Sequence, residues 1–139
     1  MVYRRQERGP ELLTILDIAR VAHEVNRAYC ESLGDHSQAR WEDAPAWQKT
    51  SAEAGVLFIK QNPDALPSAS HDSWLKQKSQ EGWVYGPVKN VESKEHPCFV
   101  PYDELPTEQK TKDYLFGAVA RSLLHFVREF NPLDPQASI

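Results

Sequence analysis

Between His71 and Leu105 the chain gathers side chains suited to holding a small molecule. They are His71-Asp72-Ser73-Trp74, Lys78, Gly82-Trp83-Val84-Tyr85-Gly86, His96-Pro97-Cys98 and Pro101-Tyr102-Asp103-Glu104-Leu105. Indole and phenol faces stack on flat rings, where a stacked base gains about 1–3 kcal/mol, and Lys and His supply charge and hydrogen bonds to an anionic group. Trp74 and Lys78 are four residues apart and so share one face of a helix; Trp83 and Tyr85 are two apart and so share one face of a strand. If that helix and strand pack around Gly82, two aromatic faces, an ammonium and the His96 imidazole surround one pocket, and a flat anionic ligand such as a nucleotide fits it. The competing reading is an aromatic core, with Trp83 and Tyr85 filling a hairpin and Trp74 packed beneath, which is the commoner fate of any single aromatic. Their combination with Lys78 and His96 favours the site.

A second group follows the i, i+3, i+4 rule: His23, Asn26 and Arg27, flanked by the small residues Ala19 and Cys30. Polar groups among small apolar neighbours are partly buried and need partners. A ligand phosphate or a neighbouring carboxylate could be that partner, and an internal network tying this helix to the hairpin is the competing reading. Lys110, Lys112 and Asp113 read as a solvated face.

Signatures of catalysis are missing from the sequence, which has no Gly-rich phosphate loop, His-Glu-x-x-His, Cys-x-x-Cys or nucleophile elbow. His96 and Cys98 point the same way on a strand, but without an orienting third group they make a buried strand thiol the better reading. The expectation is a non-catalytic chain with no metal and no cofactor. Glu95 beside His96 and Asp103 beside Tyr102 leave a nucleotide hydrolase open.

The elements that must position these residues follow from spacing. Ile15, Ile18, Val21, Ala22, Val25, Tyr29 and Leu33 predict a helix over 15–33, closed by Gly34. A second helix is expected over 45–61 after Asp43-Ala44-Pro45, with Trp47, Ala54, Leu57 and Phe58 towards the core, and Asn62-Pro63 and Leu66-Pro67 break it. A third, more polar helix runs over 68–80 to Gly82. The period then changes: Trp83-Val84-Tyr85 and Cys98-Phe99-Val100 predict two short antiparallel strands about a loop, with Pro87 marking an edge or bulge. A long amphipathic helix follows from Pro106 to near Asn131-Pro132. The fold class is α+β, mainly helical, with about four helices around a small antiparallel β-hairpin or sheet. Residues 1–10 and 131–139 are expected to be flexible tails on one domain spanning 11–130.

With 139 residues, a net charge of -4 and about a quarter of its residues charged, the chain reads as soluble and globular, a poor clamp for duplex nucleic acid. No apolar run is long enough to span a bilayer, so no membrane partner is expected. Cys30 and Cys98 are far apart, and no apolar leader precedes them, so both thiols are expected free in a reducing cytoplasm.

Trp74, Lys78, Gly82-Trp83-Val84-Tyr85-Gly86, His96-Pro97-Cys98, Tyr102 and Leu105 together resemble the pattern of the ryanodine receptor repeat, or RyR, domain. The likeness covers roughly residues 70–124. The upstream segment with His23, Asn26, Arg27, Tyr29, Trp41 and Trp47 is similar to the first half of short, free-standing RyR-domain proteins of bacteria and their phages. The resemblance implies an α+β fold and a module similar to those that bind adenine nucleotides, acting as a nucleotide-signal sensor or sequestering protein, with no implied catalysis. Channel members carry tandem repeats whose pockets form between two units. This chain has one full motif, so its pocket needs the first helix or a second subunit, as in a homodimer. The ligand-binding residues expected are Trp74, Lys78, Trp83, Tyr85, His96, His23, Asn26 and Arg27. The alternative is a protein-interaction or structural module whose aromatics anchor an oligomer or partner interface.

Overall fold

Thr14 opens the first helix with a reciprocal cap: its Oγ1 accepts from the Asp17 amide at 3.0 Å, and Asp17 Oδ2 accepts from the Thr14 amide at 2.9 Å. The helix, α1, spans Ile15–Ser32 and closes at Gly34, whose φ of 85° suits a residue without Cβ. Pro45 precedes α2 (Ala46–Gln61), and Pro67 is the first residue of α3 (Pro67–Gln80), where its missing N–H costs no helical hydrogen bond. The fourth helix, α4 (Thr107–Leu124), begins after Pro106. The computed structural model describes residues 12–127. The expected tails 1–10 and 131–139 lie outside the described residues, as does the expected helix end near Asn131. The fourth helix stops earlier than its apolar spacing predicts: Leu13 donates to the Phe126 carbonyl at 3.1 Å and bridges Val127, so the chain has left the helix by there.

Helices α1, α2 and α4 enclose the core of Ile18, Ala19, Trp41, Val56, Ile59 and Ala120, with Leu13, Phe58, Phe116 and Leu123 packed against it. The buried stripe of α2 is Val56 and Ile59, not the predicted Trp47, Ala54 and Leu57. Leu57 is exposed, while Trp47 and Ala54 turn to a cavity on the other side of the helix. Among the described residues no helix is long and apolar enough to cross a membrane.

The sheet departs from expectation in direction and position. β1 (Val84–Tyr85) and β2 (Glu95–His96) run parallel, with Val84 opposite Glu95 and Tyr85 opposite His96. Parallel neighbours normally require a crossover of a dozen or more residues. Here the intervening loop doubles back: Asn90 and Glu95 exchange two backbone hydrogen bonds of 2.9 Å, and Lys94 takes a φ of 55° to turn the chain alongside β1. Pro87 ends the ladder after Gly86 because it has no N–H to donate. A Cβ at Gly86 would lie 2.5 Å from that of Glu95, so the strands approach this closely only with glycine there. The second strand ends before Cys98-Phe99-Val100. The architecture is therefore α+β, four helices with a two-stranded parallel sheet, and no hairpin core forms.

Candidate functional site

The turn after α3 sets the site. Gly82, at φ 92°, reverses the chain so that the Trp83 amide donates to the Lys78 carbonyl at 2.9 Å. That bond fastens the indole of Trp83 beside the Lys78 side chain. Both border a cavity of about 480 Å³, within the range of small-molecule sites. Its walls come from α1 (Ala22, His23, Asn26), α2 (Trp47, Gln48, Ser51), α3 (His71, Trp74, Lys78), the segment from Trp83 to Cys98 (Trp83, Lys89, His96, Cys98) and α4 (Gln109, Lys112, Asp113, Phe116).

Aromatic rings hold the cations. Lys78 is only 3 % exposed, and its Nζ lies 5.0 Å from the Trp47 ring centroid and 5.9 Å from that of Trp83. Those two indoles meet at 6.0 Å, and Lys89 Nζ lies 5.8 Å from Trp47. The sole ion pair of Lys78 among the described residues is a long one, 3.3 Å to Glu81. Lys89 and Lys112 have no carboxylate within ion-pair distance among the described residues. Burial pushes the Lys89 ammonium below its usual pKa, and the charges of Lys112 and Lys78 push it further. Three ammoniums thus line one partly covered space with a single ion-pair partner, Glu81, among the described residues.

Each histidine in the wall is held in a defined tautomer. His23 and His71 donate from Nε2 to the carbonyls of Ala39 and Val100, both at 2.7 Å, because a carbonyl can only accept. His96 carries its proton on the same nitrogen for a different reason: its Nδ1 accepts from the Cys98 amide at 3.0 Å, so Nε2 holds the hydrogen. That Nε2–H has no acceptor among the described residues. Trp74 stacks on His71 at 5.6 Å and 21° and meets His96 edge-on at 5.2 Å, which fixes the plane of its indole. The amide of Cys98, not its thiol, engages His96, and burial pushes the thiol up, away from a reactive thiolate.

Burial pushes His96 down to about 4, reinforced by Lys89, Lys112, Lys78 and His71, and it pushes the Asp113 carboxyl up to about 7 against the opposing charge of Lys112. From about pH 4 to 6.5 the folded chain therefore binds fewer protons at His96, and more at Asp113, than the unfolded chain does, so the two slopes of stability oppose each other. His96→Gln is expected to leave the Asp113 slope, with stability falling as pH rises from about 4 to about 7. Asp113→Asn is expected to leave the His96 slope, with stability falling as pH drops from about 6.5 to about 4. After allowance for solvent reaching both groups, each slope amounts to about 1–3 kcal/mol over its window. Urea denaturation of both variants between about pH 4 and pH 8 checks this, and parallel pH profiles contradict it.

Six of the eight residues expected from sequence line this cavity: Trp74, Lys78, Trp83, His96, His23 and Asn26. Tyr85 does not. It is 56 % exposed because the strand is only two residues long and Trp83 lies outside it, pinned to α3, so the alternation that would have paired the two rings on one face never applies. Arg27 is also outside the lining. Its guanidinium bonds Glu24 at 2.9 Å and pairs with Glu31 at 3.5 Å, while Glu24 accepts from the Trp41 amide, so Arg27 belongs to a network that ties α1 to the following loop. Trp47, Lys89, Lys112 and Asp113 are among the lining residues that sequence reasoning missed. One signal for the last two was present: Gln109, Lys112, Asp113 and Phe116 repeat the i, i+3, i+4, i+7 spacing of a single helix face. Among the described residues no group of three or more His, Cys, Asp or Glu side chains is placed to hold a metal ion.

This cavity is framed by the same residues that carry the motif: Trp74, Lys78, the Gly82 turn, Trp83, His96 and the Cys98 amide. The RyR domain matches residues 59–128, half of the 139-residue chain and most of the cavity wall, and the chain belongs to the RyR domain family.

Proposed function

We propose that this chain is a non-catalytic binding module for a nucleotide or a nucleotide-derived signalling molecule, serving as a sensor or sequestering protein in the cytoplasm. The observation that carries the reading is the surplus of cation in an aromatic space: Lys78, Lys89 and Lys112 line a cavity walled by Trp47, Trp74 and Trp83, with one ion-pair partner, Glu81, among the described residues. Phosphate oxygens supply the missing anions, and the indoles supply a surface for a base. The α1–α2 side adds neutral polar groups. Gln48 donates to Gln38 Oε1 at 3.2 Å, which leaves the Gln38 amide N–H groups and the Gln48 carbonyl for a ligand edge that needs both donor and acceptor. On this reading α1 of the same chain supplies part of the pocket, through His23 and Asn26 in its wall.

Isothermal titration with adenine nucleotides, cyclic dinucleotides and ADP-ribose derivatives tests the proposal. One member is expected to bind one-to-one, with affinity falling as salt rises and with no turnover on prolonged incubation. Silence from all of them, with folded protein in the cell, would reject it.

A second reading has its own observation. Val84, Tyr85, Val88 and Val91 are all exposed on β1 and the loop beyond it, away from the cavity, as an anchor for a partner or a second copy requires. Sedimentation of the full chain against that of Tyr85→Ser separates the two, since only an interface links Tyr85 to oligomeric state.

A further inference from the structure

One side chain in the cavity wall has the opposite sign to its surroundings. Asp113 is the only acid among the described residues that line the cavity, where Lys78, Lys89 and Lys112 supply the charge and His23, His71 and His96 complete the basic groups. Its carboxylate makes no hydrogen bond or ion pair with a described residue. No side-chain oxygen or nitrogen among them is both sealed from solvent and unpartnered, so the Asp113 oxygens reach solvent, and the wall in which they lie is that of the cavity. A partly desolvated carboxylate without donors carries a free-energy cost that a ligand donor recovers. Beside a bound phosphate the same carboxylate would only repel, unless it faces a part of the ligand that donates hydrogen bonds.

The neighbours of Asp113 show which part that is. Lys112 precedes it on α4, and Lys89 lies near enough to Lys112 for that charge to disfavour its own. These two ammoniums, without carboxylate partners among the described residues, line the same cavity as Asp113, and they are the groups available to phosphate. In a nucleotide the group joined directly to phosphate is the sugar, not the base. We propose that Asp113 reads the ribose of the ligand, its two oxygens accepting hydrogen bonds from the vicinal 2′- and 3′-hydroxyls while the attached phosphates lie on Lys89 and Lys112. This rests on the nucleotide reading and narrows it to ligands that keep a free ribose diol. Asp113 is then a specificity residue, since a site that hydrogen-bonds a hydroxyl rejects the analogue lacking it.

The experiment is isothermal titration of the full chain with ADP and GDP, each against its 2′,3′-dideoxy counterpart, repeated on Asp113→Ala and Asp113→Asn. In the unmodified chain the dideoxy forms are expected to bind about 10–100-fold more weakly, the effect of losing hydrogen bonds to a charged acceptor. In Asp113→Ala that ratio is expected to collapse towards one through loss of affinity for the ribose form alone. Asp113→Asn, which keeps one acceptor oxygen, is expected to retain part of it. Equal binding of ribose and dideoxy forms by the unmodified chain, or discrimination that persists in Asp113→Ala, overturns the proposal and leaves nucleotide binding standing. Binding confined to ligands without a vicinal diol, such as a 3′,5′-linked cyclic dinucleotide, does the same. Silence from every nucleotide removes both.

Discussion

Lys78→Met is expected to weaken binding of the best nucleotide in the panel by about 10–150-fold while shifting stability by no more than about 1 kcal/mol. The two halves of that expectation have different causes. The ammonium of Lys78 is buried against Trp47 and Trp83, and its single ion pair at 3.3 Å to Glu81 leaves donors for a phosphate; removing it removes a charge-assisted hydrogen bond worth about 1.5–3 kcal/mol. Stability is spared because methionine fills nearly the same volume and places a polarisable sulfur against two indoles, where it replaces a desolvated charge. Glu81, exposed on the other side of the pair, then hydrates. Titration calorimetry and urea denaturation of one preparation read both quantities. If Lys78→Met unfolds the chain, the lysine is there to hold Trp47 to Trp83, and the ligand reading loses its main support.

The two indoles of the motif are expected to part company when each is truncated. Trp83→Ala should cost about 3–5 kcal/mol of stability, because the ring is only 6 % exposed and lies against Trp47, His96 and the Lys78 ammonium, which cannot close over the space left behind. A loss of that size is a large part of the about 5–15 kcal/mol that holds a domain folded, and it lowers the melting temperature by about 10–20 °C. Trp74→Ala should cost less stability, since the ring is only half-buried, yet it removes a platform against which a base gains about 1–3 kcal/mol. Its binding loss is therefore expected at about 5–150-fold in protein that still unfolds cooperatively. Equal destabilisation by the two substitutions would make Trp74 a core residue, and an unshifted melting curve for Trp83→Ala would refute the packing described for it.

Local spacing determined a good deal here. The starts and stops of α1, α2 and α3 follow from Thr14, Gly34, Pro45, Pro67 and Gly82, whose backbone preferences act within one turn of chain and need no distant partner. The pairing of Trp74 with Lys78 on one helix face, and the value of His96, Trp83, His23 and Asn26, were legible for the same reason. Tertiary structure decided what depends on long-range packing. Whether β1 and β2 run parallel depends on a loop that folds back through Asn90 and Lys94, and apolar spacing carries no information about direction when each strand is two residues long. Arg27 shares the helical register of His23 and Asn26, but Glu24 and Glu31 on its own helix claim it, a competition that residue types alone do not rank. Trp47, Lys89, Lys112 and Asp113 come from three separated stretches of chain, and only the docking of α2, the loop and α4 around α3 brings them to one cavity. The motif thus supplied the chemistry of the site, and packing supplied its cation surplus and its one unpaired acid, because both are sums over charges that meet only in the folded chain.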